Sequence, residues 1–378
     1  MRDSIVIIGS YAESLINFRG DLIADLISRG YQVTAMAPDA TVEQKNRIEE
    51  LGAYFVSYSV ARNSLSVFDD LSTYWQLRRH LCRLKPNLIL SYTIKPVIWG
   101  GLASRSCPDA RYFAMISGLG YAFQGHSFRR HILRKIACAL YKLALKRAVK
   151  VFFQNEESRD LFVGLGLVRE SQTVLIPGSG VNLDRFAAKP VPEGPPTFLM
   201  LSRLIGEKGV RLYAAAASVL KREHPELQFL LAGSFDPSPD GIPRDEVASW
   251  TAEGSIDYLG VLSDVRDAIA RCSVYVLPSS YLEGVPRSIL EALAIGRPII
   301  TTNTAGCRTT VVDGNNGFLV EPGSSSQLID RMRWFVENQT KIEEMGNASR
   351  RVAEEEFSVQ GVNQMIANQF NMEGEAKQ

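Results

Sequence analysis

The sequence predicts an α/β protein of two Rossmann-like domains, each built on a parallel sheet with helices on both faces. Short apolar runs that fit buried strands alternate with helical stretches along most of the chain, which is typical of parallel sheets. A proline-rich segment interrupts this alternation near the middle of the chain. The length of 378 residues and the 46% hydrophobic content suit two folded domains, each with its own core.

Two series of strands are predicted, one on each side of the proline-rich segment. The first series is Ile5–Ile8, Gln32–Met36, Tyr54–Val60, Leu88–Tyr92, Arg111–Ile116, Val151–Gln154 and Val174–Pro177. The second series is Phe198–Ser202, Leu227–Ala232, Ile256–Leu259, Val274–Leu277 and Ile299–Thr302. The helices expected from the same pattern include Asp21–Ser28, Val210–Arg222, Val265–Arg271 and Arg287–Ile295.

The proline-rich segment Lys189–Pro196 contains four prolines and a glycine, which predicts a stiff linker. We therefore expect an N-terminal domain at residues 1–189, a linker at 190–196 and a C-terminal domain at 197–358. The remaining residues, 359–378, are expected to form a C-terminal helix.

Composition excludes several classes of protein. The formal net charge of +1 does not indicate a nucleic-acid partner. Five widely spaced cysteines without a Cys-x-x-Cys pair predict a reduced, cytoplasmic chain. The N-terminus is expected to be a first strand and not a signal peptide, and no apolar run is long enough to span a membrane. The first turn lacks Gly-x-Gly-x-x-Gly, which argues against a dinucleotide oxidoreductase.

The most informative stretch is Ser273–Asn303, which is predicted to run strand, loop, helix, strand. Ligands of parallel sheets lie outside the carboxyl ends of the strands, where the loop containing Glu283 must fall. Glu291 interrupts an apolar helical sequence, so it needs a hydrogen-bond donor if it is buried. Ribose and sugar hydroxyls are suitable donors. For Glu283, a solvated loop glutamate is an equally good interpretation.

A second candidate site follows the first strand of the C-terminal domain. Arg203 and Lys208 come between that strand and a helix, and together they form a cationic corner suited to a diphosphate. The alternative is a pair of surface cations, although cations oppose the helix dipole at a helix N-terminus. Gly233 and Ser234 end the next strand and bring backbone near the same edge, unless they form an ordinary glycine turn.

Glu283, Gly284, Val285 and Pro286, with Glu291 eight residues after the first acid, resemble the donor-sugar motif of the retaining glycosyltransferases of family four. The resemblance covers almost the whole chain. It implies the GT-B plan, with two domains facing across a cleft and the last helices, about Gln360–Phe370, packed on the first domain. It also implies that Arg203 and Lys208 hold a nucleoside diphosphate and that the segment containing Val261 contacts a uracil base.

Three strings in the first domain resemble a bacterial branch of that family, which acts on polyprenyl-diphosphate-linked acceptors and includes N-acetylhexosaminyl transferases. They are Asn17–Arg19, Tyr92–Pro96 and Ser117–Phe123. The acceptor-binding candidates are Asn17, Arg19, Lys95 and Tyr121, and a solvated role for Arg19 and Lys95 stays open. The strand-end histidine of many members is absent here. His126 is the nearest histidine and is more simply a polar loop residue.

The segment Arg129–Lys150 contains eight basic residues and no acidic residue. We expect its basic ridge to face an anionic membrane surface while its apolar ridge packs in the domain; a merely solvated face is the alternative. The basic ridge is Arg130, Arg134, Lys142, Lys146 and Lys150, and the apolar ridge is Ile132, Ile136, Leu140 and Ala144.

These features predict a retaining, metal-independent glycosyltransferase that moves a sugar, expected to be an N-acetylhexosamine, from a UDP-sugar to a lipid-linked acceptor at the cytoplasmic membrane face. Arg203 and Lys208 are expected to stabilise the leaving diphosphate, Glu283 to hold the sugar and Glu291 the ribose. No Asp-x-Asp occurs, and no metal or other cofactor is expected. The alternatives are a nucleotide-sugar epimerase of the same plan and a catalytically idle nucleotide-sugar-binding subunit. The oligomeric state stays open.

Overall fold

The computed structural model describes residues 3–60, 67–119, 123 and 128–371, and these form two compact units. Unit 1 comprises the described residues up to Ser179 together with those from Val359 onward, and unit 2 comprises Gly180–Ser358. Each unit contains one parallel sheet covered by helices. The predicted fold class is therefore confirmed.

The strands of unit 1 form a parallel sheet in which the strand order reverses next to β1. They are β1 (Ser4–Ile8), β2 (Gln32–Ala37), β3 (Tyr54–Ser57), β4 (Leu88–Tyr92), β5 (Arg111–Ile116), β6 (Ala148–Phe153) and β7 (Thr173–Leu175). Their order across the sheet is β3-β2-β1-β4-β5-β6-β7. Ile7 lies opposite Ala35 on one side and Leu90 on the other, so β1 is central and buried on both faces.

The helices of unit 1 are α1 (Ala12–Asn17), α2 (Gly20–Ser28), α3 (Val42–Glu50), α4 (Val67–Leu84), α5 (Ile94–Ala103), α6 (Phe128–Leu145), α7 (Glu156–Gly164) and, from the end of the chain, a helix at Val359–Asn371. Local sequence fixes several helix ends. At α3, Thr41 and Gln44 form a reciprocal capping box, which satisfies two backbone N–H groups.

The C-terminal helix Val359–Asn371 packs on the core of unit 1. Its buried face includes Ile366 and Phe370, and the Phe370 ring lies edge-on to Phe113 of β5 with centroids 4.7 Å apart. The Asn363 side chain donates to the backbone oxygen of Asp21 at 3.2 Å. The core of unit 1 is therefore built from both ends of the chain.

Unit 2 repeats the same architecture with a similar strand order. Its strands are β8 (Thr197–Leu201), β9 (Gln228–Ala232), β10 (Asp257–Tyr258), β11 (Val274–Leu277), β12 (Ile299–Thr302) and β13 (Gly317–Val320), in the order β10-β9-β8-β11-β12-β13. Its helices are α8 (Val210–Glu223), α9 (Arg244–Ala252), α10 (Arg266–Arg271), α11 (Arg287–Ile295), α12 (Ala305–Arg308), α13 (Ser325–Glu337) and α14 (Thr340–Glu356), and the helix at Val359–Asn371 is α15. The order reverses between β8 and β11, which are paired neighbours.

The boundary between the units differs from the predicted linker at 190–196. Unit 2 begins at Gly180, so the proline-rich segment belongs to it. Arg297 binds the start of this segment to unit 2. Its side chain is fully buried, and it donates to the backbone oxygens of Lys189 and Pro190, each at 2.8 Å. The same guanidinium also donates to the oxygens of Ile269 and Ala270, which fastens the segment to unit 2.

Candidate active site

The point where the strand order of unit 2 reverses brings three predicted site residues together. Arg203 follows β8, Lys208 ends the short 3-10 turn Gly206–Lys208, and Glu283 lies in the loop after β11. Because β8 and β11 are neighbouring parallel strands, their carboxyl ends meet at one edge of the sheet. This is the place where open α/β sheets bind ligands.

Lys208 and Glu283 form a close, partly buried ion pair. The Lys208 Nζ lies 2.5 Å from Glu283 Oε2, and the two side chains are only 12% and 16% exposed. Ser279 Oγ donates to the other carboxylate oxygen of Glu283 at 3.0 Å. Glu283 is therefore an ordered carboxylate at a sheet edge, and the solvated interpretation does not hold.

The turn that carries Lys208 is fastened directly to the loop that carries Glu283. Gly209 adopts a φ of +81°, and a Cβ at this position would lie 2.2 Å from the backbone oxygen of Pro278, so only glycine fits. The backbone oxygen of Glu207 accepts a hydrogen bond from Ser280 N at 2.8 Å. The separation between Lys208 and Glu283 is consequently set by backbone contacts as well as by their charges.

Arg203 points outward and pairs with Asp236, a residue that the sequence analysis did not single out. Arg203 Nη1 lies 2.9 Å from Asp236 Oδ2, and the exposed fractions of the two side chains are 52% and 15%. Burial acts to raise the pKa of Asp236, but hydrogen bonds from Ser238 and the Arg203 charge outweigh it and lower that pKa. Asp236 is therefore charged at neutral pH, and it fixes one side of the guanidinium.

Glu291 forms an ion pair with a residue of its own helix. Arg287 Nε donates to Glu291 Oε1 at 2.8 Å, and both side chains are nearly buried. Burial raises the pKa of Glu291, and the Arg287 charge offsets part of that rise. The donor that Glu291 was expected to need is thus supplied by Arg287, one turn away, so a role with ribose stays a prediction.

The other predicted donor residues surround this edge of unit 2. Gly284 and Val285 are buried at the start of α11, and the close approach of Gly306 to the backbone oxygen of Gly284 leaves no room for a side chain on Gly306. Ser234 is exposed, and its backbone oxygen accepts from Leu204 N at 2.9 Å. Val261 is 71% exposed just after β10, so its role beside a base stays a prediction.

The predicted acceptor residues that the structure describes lie in unit 1, and they differ in burial and in the partners of their side chains. Arg19 is buried, with its guanidinium 5.0 Å from the centre of the Tyr92 ring and a hydrogen bond of 3.3 Å to Ser179 Oγ. Lys95 pairs with Asp70 at 2.7 Å in the first turn of α5, and Asn17 donates to Glu13 at 2.8 Å. The predictions for Tyr121 and His126 fall outside the described residues.

The basic helix α6 does not present the faces that were predicted. Ile132 and Ile136 were expected in the core but are 43% and 52% exposed, whereas Arg134 lies inward over the Phe123 ring. Two causes are geometric. A series of four-residue steps turns 40° per step around a helix of 3.6 residues per turn, so residues spaced four apart wind from one face to another. The helix also ends at Leu145, before the predicted ridge does: Lys146 follows it, and Lys150 lies on β6 and donates to the backbone oxygen of Ser171.

Two kinds of feature are absent from the described ranges. No group of three or more His, Cys, Asp or Glu side chains there is arranged to hold a metal ion. None of the helices among those residues combines the length and apolar character that crossing a membrane requires.

Sequence reasoning missed the residues that hold the predicted cations. Asp236 pairs with Arg203, the Asp240 carboxylate accepts from Glu207 N at 2.8 Å, and the Tyr281 ring lies beside Lys208. A signal existed for the two aspartates, because the string Asp236-Pro-Ser-Pro-Asp240-Gly has the composition of an ordered turn after a strand. Tyr281 falls in the loop that was predicted to lie at the ligand edge, but no local signal gave it a role.

Two protein families match this chain, one in each half. A family described as glycosyl transferase 4-like domain matches residues 17–178, and one described as glycosyl transferases group 1 matches residues 183–352. Together they cover most of the sequence and every strand described above except β1.

Two named relatives align with most of this chain at less than 30% identity. The N,N'-diacetylbacillosaminyl-diphospho-undecaprenol alpha-1,3-N-acetylgalactosaminyltransferase of Campylobacter jejuni is 29% identical over 339 residues, which are 86% of this chain and 87% of that protein. The UDP-Gal:alpha-D-GlcNAc-diphosphoundecaprenol alpha-1,3-galactosyltransferase of Escherichia coli is 24% identical over 297 residues, 75% of this chain and 74% of that protein.

Solved structures share the fold over nearly the full length. Anabaena HepE in complex with UDP-glucose superposes with a TM-score of 0.79 at 20% identity, covering 98% of this chain and 99% of that one. A glycosyltransferase from Rickettsia africae gives 0.79 at 19% identity, with 98% of both chains covered. These likenesses confirm the GT-B fold predicted from the sequence. With its glycosyl transferase 4-like N-terminal half and its group 1 C-terminal half, the chain belongs to the glycosyltransferases of the GT-B fold.

Proposed function

We propose that this glycosyltransferase is a retaining, metal-independent enzyme that moves an N-acetylhexosamine from a UDP-sugar to a saccharide linked to a polyprenyl diphosphate. The observation that carries the proposal is the meeting of Arg203, Lys208 and Glu283 at the strand reversal of unit 2. Two cations and a carboxylate at one sheet edge suit a ligand that has a diphosphate next to a sugar.

The names of the relatives support the substrate classes. Those from Campylobacter jejuni and Escherichia coli are both named for acceptors joined to undecaprenol through a diphosphate, and the Escherichia coli name also contains a UDP-sugar. Anabaena HepE, of the same fold, was solved with UDP-glucose. The N-acetylhexosamine is proposed from the Campylobacter jejuni relative.

In the proposed reaction the leaving group is UDP, so the barrier falls when positive charge meets the departing phosphate. Arg203 can offer a forked pair of donors and Lys208 a mobile ammonium, which together supply that charge without a metal. Glu283 would accept hydrogen bonds from the sugar hydroxyls, and Glu291, in the next helix, would accept from the ribose. Retention would follow from attack on the face that the phosphate leaves, with that phosphate taking the acceptor proton.

The exposed face of α6 supports a site of action at a membrane surface. Ile132, Ile136 and Leu143 form an exposed apolar stripe on this helix, with exposed fractions of 43%, 52% and 49%. Exposed cations lie beside the stripe at Lys135 and Lys142 and just after the end of the helix at Lys146 and Arg147. Apolar side chains flanked by cations are the pattern of helices that lie in the plane of an anionic bilayer.

Another helix of unit 1 also exposes large apolar side chains. Both α4 and α6 pack against α5, and α4 exposes Leu71 and Trp75, with Arg78 over the indole ring at 5.2 Å. Tryptophan is favoured at the boundary between lipid and water. We therefore place the enzyme at the cytoplasmic face of the membrane, where a polyprenyl-linked acceptor is embedded.

The central experiment incubates the enzyme with a panel of UDP-sugars and polyprenyl-diphosphate saccharides, with and without EDTA, and determines product mass and anomeric configuration. We expect transfer with retained configuration that EDTA does not reduce. Arg203→Ala should lower kcat/KM by about 30- to 1,000-fold, equivalent to about 2–4 kcal/mol of transition-state stabilisation. Sugar interconversion without an acceptor would indicate the epimerase instead, and nucleotide binding without turnover would indicate an idle subunit.

Membrane attachment has its own test. Ile132→Glu with Ile136→Glu should reduce binding to phosphatidylglycerol vesicles at least tenfold, because two apolar anchors become anions facing an anionic surface. Val42→Glu in α3 is the matched control, since Val42 is 77% exposed but lies on a different helix. Equal binding by the double variant and the control would refute this placement.

A further inference from the structure

Ser279 is a buried serine whose side chain contacts the site of unit 2. It lies two residues after the end of β11 and is fully buried. Its Oγ donates to Glu283 Oε1 at 3.0 Å and accepts from Tyr281 N at 3.2 Å. The other oxygen of the Glu283 carboxylate, Oε2, lies 2.5 Å from Lys208 Nζ. The two oxygens of this carboxylate are therefore held by different groups, one neutral and one cationic.

The hydroxyl proton of Ser279 goes to Glu283. A serine hydroxyl has a single proton to donate. A second acceptor, the backbone oxygen of Glu207, lies farther from Ser279 Oγ, at 3.5 Å, and it already accepts from Ser280 N at 2.8 Å. The shorter contact takes the proton, so the carboxylate is the group that this hydroxyl orients.

The main chain of Ser279 is held in place from the neighbouring strand. Its backbone oxygen accepts a hydrogen bond from the hydroxyl of Thr302, the fully buried last residue of β12. Because β11 and β12 are paired parallel strands, their carboxyl ends lie side by side. An anchored backbone and a buried side chain leave the Ser279 hydroxyl little freedom of direction. It can thus direct the longer side chain of Glu283.

We propose that Ser279 is a positioning residue that keeps the Glu283 carboxylate in place for the sugar hydroxyls of the donor once the diphosphate has drawn Lys208 away. This inference rests on the proposed function, since it assumes that Glu283 accepts from the sugar and that Lys208 binds the diphosphate. Fixing a glutamate side chain costs conformational entropy, which the bound sugar would otherwise have to offset. The hydrogen bond from Ser279 supplies that order before the sugar arrives.

Ser279→Ala removes this hydrogen bond and leaves every charge of the site in place. The measured quantity is the ratio of the Kd of UDP to the Kd of the UDP-sugar, determined by titration calorimetry on the full chain without acceptor. The sugar nucleotide is whichever of UDP-N-acetylglucosamine and UDP-N-acetylgalactosamine the enzyme transfers. We expect Ser279→Ala to lower the ratio by about 3- to 10-fold, the range of one hydrogen bond, because the sugar meets a less ordered carboxylate. In a Glu283→Ala background the same change should alter the ratio less than twofold, because its effect passes through Glu283.

Ser280→Ala is the matched control. Ser280 is the next residue, and its exposed hydroxyl donates to the backbone oxygen of Glu207 at 3.2 Å, so its loss should leave the ratio unchanged. Both serine variants should still bind UDP, which shows that the site remains folded.

Four results would overturn the inference while leaving the proposed function standing. They are an unchanged ratio in Ser279→Ala, an equal fall with and without Glu283, an equal fall in Ser280→Ala, and loss of UDP binding by Ser279→Ala, which would indicate that the residue only supports the loop. If the unmodified enzyme transfers neither sugar, the proposed function and the inference both fail.

Discussion

Replacing Glu283 with glutamine should strengthen UDP binding while it weakens sugar transfer. In the ligand-free enzyme the ammonium of Lys208 is held by Glu283 at 2.5 Å, so a diphosphate must compete with that carboxylate for the same cation. Glutamine keeps the shape of the side chain but releases Lys208. The same substitution removes the carboxylate proposed to hold the sugar hydroxyls, so kcat with the UDP-sugar should fall.

The structure sets bounds on the size of the effect. Exposed ion pairs contribute about 0–1 kcal/mol, and two charges about 4 Å apart at an effective dielectric constant of about 20 attract by roughly 4 kcal/mol. Lys208 and Glu283 are 12% and 16% exposed, which places the pair between these cases. We expect about 1–2 kcal/mol, or a gain of about 5- to 30-fold in UDP affinity.

Titration calorimetry of UDP into the two proteins measures this change, and a transfer assay measures the accompanying loss. Glu223→Gln is the matched control, because it removes a carboxylate from a surface pair with Arg333 in the same unit. The gain for Glu283→Gln should also shrink at high salt, since screening weakens the competing pair. Unchanged or weaker UDP binding by Glu283→Gln would refute the idea that Glu283 and the diphosphate compete for Lys208.

Three further predictions concern the frame of unit 2. Arg297→Met should lower the free energy of unfolding by about 3–5 kcal/mol in urea titrations, because several buried backbone oxygens lose their donor; a loss under 1 kcal/mol would contradict the role given to this residue. Gly209→Ala should reduce UDP affinity at least tenfold, because its Cβ would collide with the backbone oxygen of Pro278 and displace Lys208; wild-type affinity would show that the turn adapts. Folding raises the pKa of Glu291 above its ordinary value of 4.5. Above pH 4.5 the native state therefore binds more protons than the unfolded state. The free energy of unfolding should then fall as pH rises from 4.5 through the raised pKa of the folded state. Glu291→Gln should remove that decline in pH-dependent unfolding, and an unchanged slope would argue against it.

Much of unit 2 could be predicted because its local sequence patterns favour the same helices and strands that the fold contains. The bounds of α11 match the prediction at both ends. Pro286 is the N-cap of this helix, and Gly296, with a φ of +87°, ends it two residues before Pro298. The short strand β13 was missed because four residues beginning with glycine carry too little pattern, and its edge position depends on pairing with β12.

The misplaced linker and the missed charge partners share one physical cause, which is contact between residues far apart in sequence. Proline content marks a stiff segment, but it cannot reveal that Arg297, about a hundred positions later, binds that segment into unit 2. Similarly, the sequence placed Arg203 and Lys208 at a strand end without showing the carboxylates that hold them. Residue type and spacing located the candidate site, whereas the pairing of charges within it needed the fold.

The path of the chain gives unit 2 the topology of an insertion. Val181 N donates to Phe357 O at 2.8 Å, so the segments that enter and leave this unit run side by side. During synthesis, the first 179 residues therefore emerge without the helix that completes their core, and their apolar surface under α15 must wait until all of unit 2 has left the ribosome. The core residues of unit 2 all lie between Val181 and Phe357, so this unit is expected to complete its core before unit 1 completes its own.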